Sequence, residues 1–147
     1  MNRYMQEAVK EALGGVAKNH GGPFGAVIVK DGKIIAKAHN QVVKSNDPTA
    51  HAEINVIKKA SKKLQNFDLS GCEIYTTCMP CPMCSGAIKW ANIKTIYYGA
   101  SSQDAQNIGF RDKEFYDKGH LNLINIDRTE CLEPFEEWQK KEDKTIY

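Results

Sequence analysis

Apolar positions along the chain change their period several times, and the changes mark out a run of elements. Met5, Ala8, Val9, Ala12, Leu13 and Val16 recur at helical spacing, which predicts a helix over residues 2–17, loosened at its end by Gly14-Gly15. The apolar run Phe24 to Val29, the turn Lys30-Asp31-Gly32-Lys33 and the run Ile34 to Asn40 then read as strand, Asp-Gly turn and strand, so residues 21–40 are expected to form an antiparallel hairpin. Asp47-Pro48 offers an N-cap and a proline at the first helical position, opening a helix through Lys63 with Ala52, Val56, Ile57 and Ala60 inward. Further on, residues 72–78 predict a strand, 82–92 a helix entered through Pro82, and 94–100 another strand. Residues 101–119 read as polar and irregular, Leu121 to Ile126 as a further strand, and 131–141 as a last helix before a tail ending at Tyr147. Strand–helix–strand units following a hairpin imply an α/β fold, a mixed sheet covered by helices.

Composition narrows the class. The 147 residues, 41% hydrophobic and 26% charged, suit one packed domain, here taken as 1–147, that needs no disulfides. A net charge of +2 gives no reason to expect a nucleic-acid partner, and Lys58, Lys59, Lys62 and Lys63 read as one solvated helix face. No run of about 18 apolar residues predicts a membrane span, and the N-terminus carries no apolar secretory block, so a cytoplasmic protein is expected. In a reducing compartment, five cysteines with three crowded into "CMPCPMC" point to metal binding or catalysis rather than disulfides.

Spacing alone leaves several chemistries open for Cys78, Cys81 and Cys84. A Cys-x-x-Cys redox couple is compatible with it. An iron–sulfur run is not, because position 88, where a fourth cysteine belongs, is Ile88. A structural zinc cage of three cysteines and one histidine could include Cys78. The other zinc arrangement uses His51, Cys81 and Cys84, placed at two predicted helix starts whose amide donors and dipoles favour thiolate. Three ligands leave a tetrahedral position open for a water acidified by the metal, and Glu53, not itself a ligand, is placed to take its proton.

His51-Ala52-Glu53 followed by Pro80-Cys81-Pro82-Met83-Cys84 is the H-x-E…P-C-x-x-C signature of zinc-dependent nucleobase deaminases. The chain resembles the cytidine deaminase superfamily from about residue 1 to residue 130. Within it, "GGPFGAVIVKDG", "SNDPTAHAE" and "PCPMCSGAIKWA" look most like the guanine deaminases. The resemblance implies a three-layer α/β/α cytidine deaminase-like fold with a five-stranded mixed sheet, Zn2+ as cofactor, and hydrolysis of guanine to xanthine and ammonia in purine metabolism. It implies His51, Cys81 and Cys84 as ligands and Glu53 as proton shuttle. Asp112 becomes a second proton carrier, and Asn40, Phe24, Ala52 and Trp90 contacts to the purine base. Tyr147 is implied to close the pocket of a partner subunit in a homodimer that swaps its C-terminal segment, residues 131–147. One departure from the pattern is Met79, where relatives usually carry glutamate before the Pro-Cys pair; Cys78 is not a ligand position in that family. A tRNA adenosine deaminase, a guanosine or cytidine deaminase, and a non-enzymatic structural-zinc module stand as alternatives.

Overall fold

The computed structural model describes residues 2–117 and 121–146. Helix α1 (Arg3–Ala17) starts where the Asn2 side chain accepts from the Tyr4 and Met5 N–H groups. The hairpin follows as predicted, β1 (Gly25–Lys30) and β2 (Lys33–His39), turning through Asp31 and Gly32, both at positive φ. After a short helix α2 (Val42–Ser45) come α3 (Ala52–Leu64), β3 (Cys72–Cys78), α4 (Pro82–Trp90) and β4 (Thr95–Ala100). Helices α5 (Ser102–Asn107), α6 (Asp112–Asp117) and α7 (Arg128–Lys140) complete the described elements.

Among the described residues the strands form one mixed sheet in the order β2-β1-β3-β4, with β1 antiparallel to both neighbours and β3 parallel to β4. Strand β1 is buried on both faces, and its alternation divides the core into two layers. Ala26 and Ile28 join Ile74, Ala52, Val56 and Ile88 beneath α3 and α4. Val27 and Val29 join Tyr75 and Ala8 beneath α1. Helices therefore cover both faces, as a three-layer α/β/α arrangement requires. Gly25 lets α1 approach β1, because a Cβ there would run into the Ala8 carbonyl oxygen.

Four expectations are corrected. The sheet has four strands among the described residues, not five: Leu121 to Ile126 form no strand, and Leu121, Leu123 and Ile124 are more than four-fifths exposed because no neighbouring strand pairs with them. Helix α3 begins at Ala52 rather than at Pro48, since the Asp47 carboxylate is engaged by the Thr49 N–H and hydroxyl and so closes a local turn instead of capping a helix. Residues 101–119 are not wholly irregular; α5 is opened by a reciprocal capping box between Ser101 and Asp104, and α6 follows. Finally, α7 starts three residues earlier than predicted and carries Pro134 inside it.

Candidate functional site

Two helix starts meet below the carboxyl end of β3. His51 is the N-cap residue of α3 in extended conformation, and Cys81 is the N-cap residue of α4, followed by Pro82. The Cys84 N–H donates to Cys81 Sγ at 3.5 Å, so the thiol of Cys81 also caps its own helix. Cys81 Sγ lies 3.7 Å from His51 Nδ1, and Cys84 Sγ lies 3.6 Å from the same nitrogen. Ligand bonds of 2.0–2.3 Å in a tetrahedron put neighbouring S and N donors about 3.6 Å apart. The side chains already hold that spacing, and among the described residues this trio is the group of histidine, cysteine and acidic side chains placed to share an ion, its atoms all within 4.8 Å. The donor set of one imidazole and two thiolates is what Zn2+ prefers, and three protein ligands leave the fourth position open.

Charges within the trio are arranged to complement one another. Cys81 falls to about 4, chiefly through the hydrogen bond from Cys84 and then through His51. His51 is raised, Cys81 being the main cause. Cys84 is pushed up by the neighbouring Cys81 and by burial, so among the protein groups alone Cys81 holds the thiolate and Cys84 the proton.

Glu53 sits one helical residue beyond Ala52 and is 5% exposed. Burial raises its carboxyl above the usual range, against the pull of Thr76 and Cys84. The one proton of the Thr76 hydroxyl is shared between Glu53 Oε1 at 3.0 Å and the Cys78 carbonyl at 3.2 Å, while Cys84 Sγ donates to Oε2 at 3.4 Å. A buried carboxylate held on both oxygens beside an open metal position is built to hold a proton and give it up.

The adjoining cleft, about 490 Å³, is lined by Phe24, Asn40, His51, Phe110 and Asp112 among others. Three sequence-predicted contacts, Phe24, Asn40 and Asp112, thus gather at the metal cluster. Burial raises the Asp112 carboxyl, with Cys81 adding to the shift. Phe24 meets Phe110 edge to face with centroids 4.8 Å apart, making an aromatic corner. Ala52 is fully buried and opens α3, where N–H groups have no acceptor within the helix.

Trp90 lies elsewhere. It lines a separate apolar groove with Ile54, Ile57, Phe67 and Ala87 between α3 and α4, so the expected pocket wall at Trp90 does not line the cleft beside His51. Tyr147 lies outside the described residues. Cys78 stands apart from the trio: its thiol donates to the Ser101 carbonyl at 3.5 Å, and burial lifts it to about 11. A closed cage including Cys78 is not what the side chains form.

Thr76, Phe110 and Tyr116 are site residues that sequence reasoning missed. Thr76 follows Ile74 by two in β3, so strand alternation alone aims it at the α3 face. Phe110 carries no comparable signal. Tyr116 on α6 donates its hydroxyl to the Pro80 carbonyl and lies 3.2 Å from Ser85 Oγ, tying the helix that carries Asp112 to the metal loop.

Comparison with known proteins agrees with this geometry. Residues 1–100 match the family model described as the cytidine and deoxycytidylate deaminase zinc-binding region. The chain is 45% identical to a guanine deaminase of Bacillus subtilis over 98% of its own length and 97% of that protein's. It is 44% identical to a tRNA-specific adenosine deaminase of Aquifex aeolicus, over 66% of this chain and 64% of that one. Among solved structures, the X-ray structure of the Bacillus subtilis guanine deaminase superposes with a TM-score of 0.93 at 45% identity, covering 100% of this chain and 99% of that one.

Proposed function

The chain belongs to the family that carries the cytidine and deoxycytidylate deaminase zinc-binding region, and from that premise we propose that it hydrolyses guanine to xanthine and ammonia. The observation that carries the reading is the extent of the likeness. The guanine deaminase match spans nearly the whole chain, whereas the tRNA adenosine deaminase match covers 66% of it. Phe110 and Asp112, which complete the cleft, lie beyond the residues matched by the family model.

His51, Cys81 and Cys84 would hold the zinc. When bound, the metal supplies an acidified water at its open position. Glu53, buried beside the trio, would take the proton of the attacking water and return it to a ring nitrogen of the purine. Asp112, whose carboxyl is raised by burial, would give a proton to the amino group as the carbon–nitrogen bond breaks and ammonia leaves, and would regain one from the added oxygen as that oxygen becomes the xanthine carbonyl. Asn40 grips the edge of the base, Phe24 with Phe110 faces its ring, and the Ala52 N–H offers a donor at the start of α3.

The whole chain acts as one deaminase domain in a homodimer whose C-terminal segment, residues 131–147, crosses to the partner and brings Tyr147 over its cleft. Two features support exchange: among the described residues β4 lies at the edge of the sheet, and the apolar side chains Leu121, Leu123, Ile124 and Ile126 are exposed. None of the five cysteines is in a disulfide, which suits the cytoplasm, and among the described residues no helix is long and apolar enough to cross a membrane.

Loss of guanine absorbance in the presence of zinc-loaded protein tests the reading, with an anticodon stem-loop as the competing substrate. Guanine consumed and the RNA left intact is the expected result. Unchanged guanine with one zinc bound per chain refutes it.

A further inference from the structure

Away from the metal cluster, three titratable side chains from three parts of the fold form one hydrogen-bonded line. Glu11 on α1 places Oε2 2.9 Å from Nδ1 of His39, the last residue of β2. His39 Nε2 in turn lies 2.8 Å from Nδ1 of His20, in the loop between α1 and β1, and the two rings stack with centroids 5.1 Å apart. A carboxylate can only accept, so His39 donates from Nδ1 to Glu11, and its Nε2 shares a single proton with Nδ1 of His20 in the second hydrogen bond. Burial, helped by the nearby Lys44 and His39, lowers the His20 pKa. The line is fitted into the fold: a Cβ on Gly15 would lie 2.7 Å from the His39 ring, so only glycine leaves room for it.

Both histidines are anchored through their backbones to the rim of the cleft. The His20 carbonyl accepts from the Val43 and Lys44 N–H groups at 3.0 and 2.9 Å, which fixes α2 above the cleft. The His39 carbonyl accepts from Asn55 Nδ2 at 3.0 Å. His20 is followed directly by Gly21 and Gly22, and His39 by Asn40. Those two strands of chain meet again where the Asn40 N–H donates to the Phe24 carbonyl at 3.0 Å and Asn40 Oδ1 accepts from the Val42 N–H at 3.0 Å. A Cβ on Gly21 would run into Asn40 Oδ1, so small displacements of the His20 loop are felt at that side chain.

We propose that Glu11, His39 and His20 are positioning residues that set the rim of the cleft, fixing Asn40 and Phe24 for the base through the His39–His20 hydrogen bond. None of the three touches the metal trio, so the line governs how the base is held rather than the proton transfers. The inference rests on the reading of Asn40 and Phe24 as base contacts given above.

The test separates binding from chemistry. His20→Leu removes the ring nitrogen that meets His39, whereas His20→Asn keeps a hydrogen-bonding amide at the same branch position. Glu11→Leu breaks the far end of the line without touching His20. For each variant we would measure kcat and KM on guanine, zinc content, and the exchange rates of the Val43 and Lys44 amides. His20→Leu and Glu11→Leu are expected to raise KM about three- to tenfold, the range of one lost neutral hydrogen bond. They should leave kcat and zinc content close to wild type and speed exchange at Val43 and Lys44, and His20→Asn should return KM and exchange toward wild type. Wild-type KM and protection in Glu11→Leu overturn the proposal, as does a His20→Asn variant no better than His20→Leu. If the wild-type protein leaves guanine unchanged, the proposed reaction fails, and the amide exchange of the same variants still decides whether the line holds the rim.

Discussion

Thr76→Val is the substitution that most directly separates orientation of the proton carrier from the rest of the site. Valine has nearly the shape of threonine, so the fully buried position stays filled and only the hydroxyl is lost. That hydroxyl donates to Glu53 Oε1 at 3.0 Å. Water cannot readily replace it, because Thr76 is 0% and Glu53 5% exposed. A hydrogen bond to a charged acceptor contributes about 1.5–3 kcal/mol, and about 1.4 kcal/mol is a factor of ten in rate. If that energy orients Glu53 in the transition state, kcat falls about ten- to 150-fold. His51, Cys81 and Cys84 are untouched, so zinc content stays at wild type, and Asn40 and Phe24 are untouched, so KM changes little. Thr76→Ser, which restores the donor, should recover most of the loss. Steady-state kinetics by guanine absorbance, paired with metal analysis, reads all three quantities. A fully metallated Thr76→Val enzyme with undiminished kcat would refute the reasoning: Thr76 would then be packing, and the Glu53 carboxylate would be held without its hydroxyl.

Other expectations concern different parts of the molecule. Cys78→Ser should retain zinc in full, because Cys78 Sγ bonds the Ser101 carbonyl rather than joining the trio; loss of metal by elemental analysis would restore the closed cage. Leu123→Asp alters a side chain that is 90% exposed, so folding of the chain should be unaffected while light scattering reports loss of the dimer proposed above; an unchanged mass would remove Leu123 from the proposed contact. Asp47 is held below its ordinary pKa by the Thr49 hydroxyl and N–H. Its stabilisation is therefore present above the unfolded carboxylate value, near pH 4, and is lost as pH falls through the lowered folded value. Asp47→Asn should flatten that part of a melting-temperature profile between about pH 5 and pH 2, and an unaltered profile would remove Asp47 from the acid-sensitive set.

The metal trio and Glu53 were legible because their chemistry is local: two short motifs carry the ligand types, and each falls at a helix start. The hairpin and β3 were legible for the same reason, through the Asp-Gly turn and the β-branched run. What failed was competition between local signals. Asp47-Pro48 has the residues of a helix start, yet Thr49 captures the aspartate and His51 takes the capping position instead. Ser101 and Asp104 did spell a capping box, but the polar helix behind them offers no apolar periodicity to confirm it. Leu121 to Ile126 has the composition of a strand, while pairing depends on a neighbour that composition cannot supply. Trp90 is a pocket wall only by resemblance to the guanine deaminases. Helix α4 turns it instead toward α3, among Ile54, Ile57 and Phe67.

The double role of Cys81 and His51, each both N-cap residue and prospective ligand, makes the metal a participant in folding. Two helix starts are gathered at one point, so an ion bound to the native arrangement and absent from the unfolded chain shifts the equilibrium by mass action. Free zinc concentration then becomes a variable of stability, in the same sense as temperature or denaturant. The first turns of α3 and α4, which carry Glu53 and Cys84, are where a falling zinc concentration is felt first.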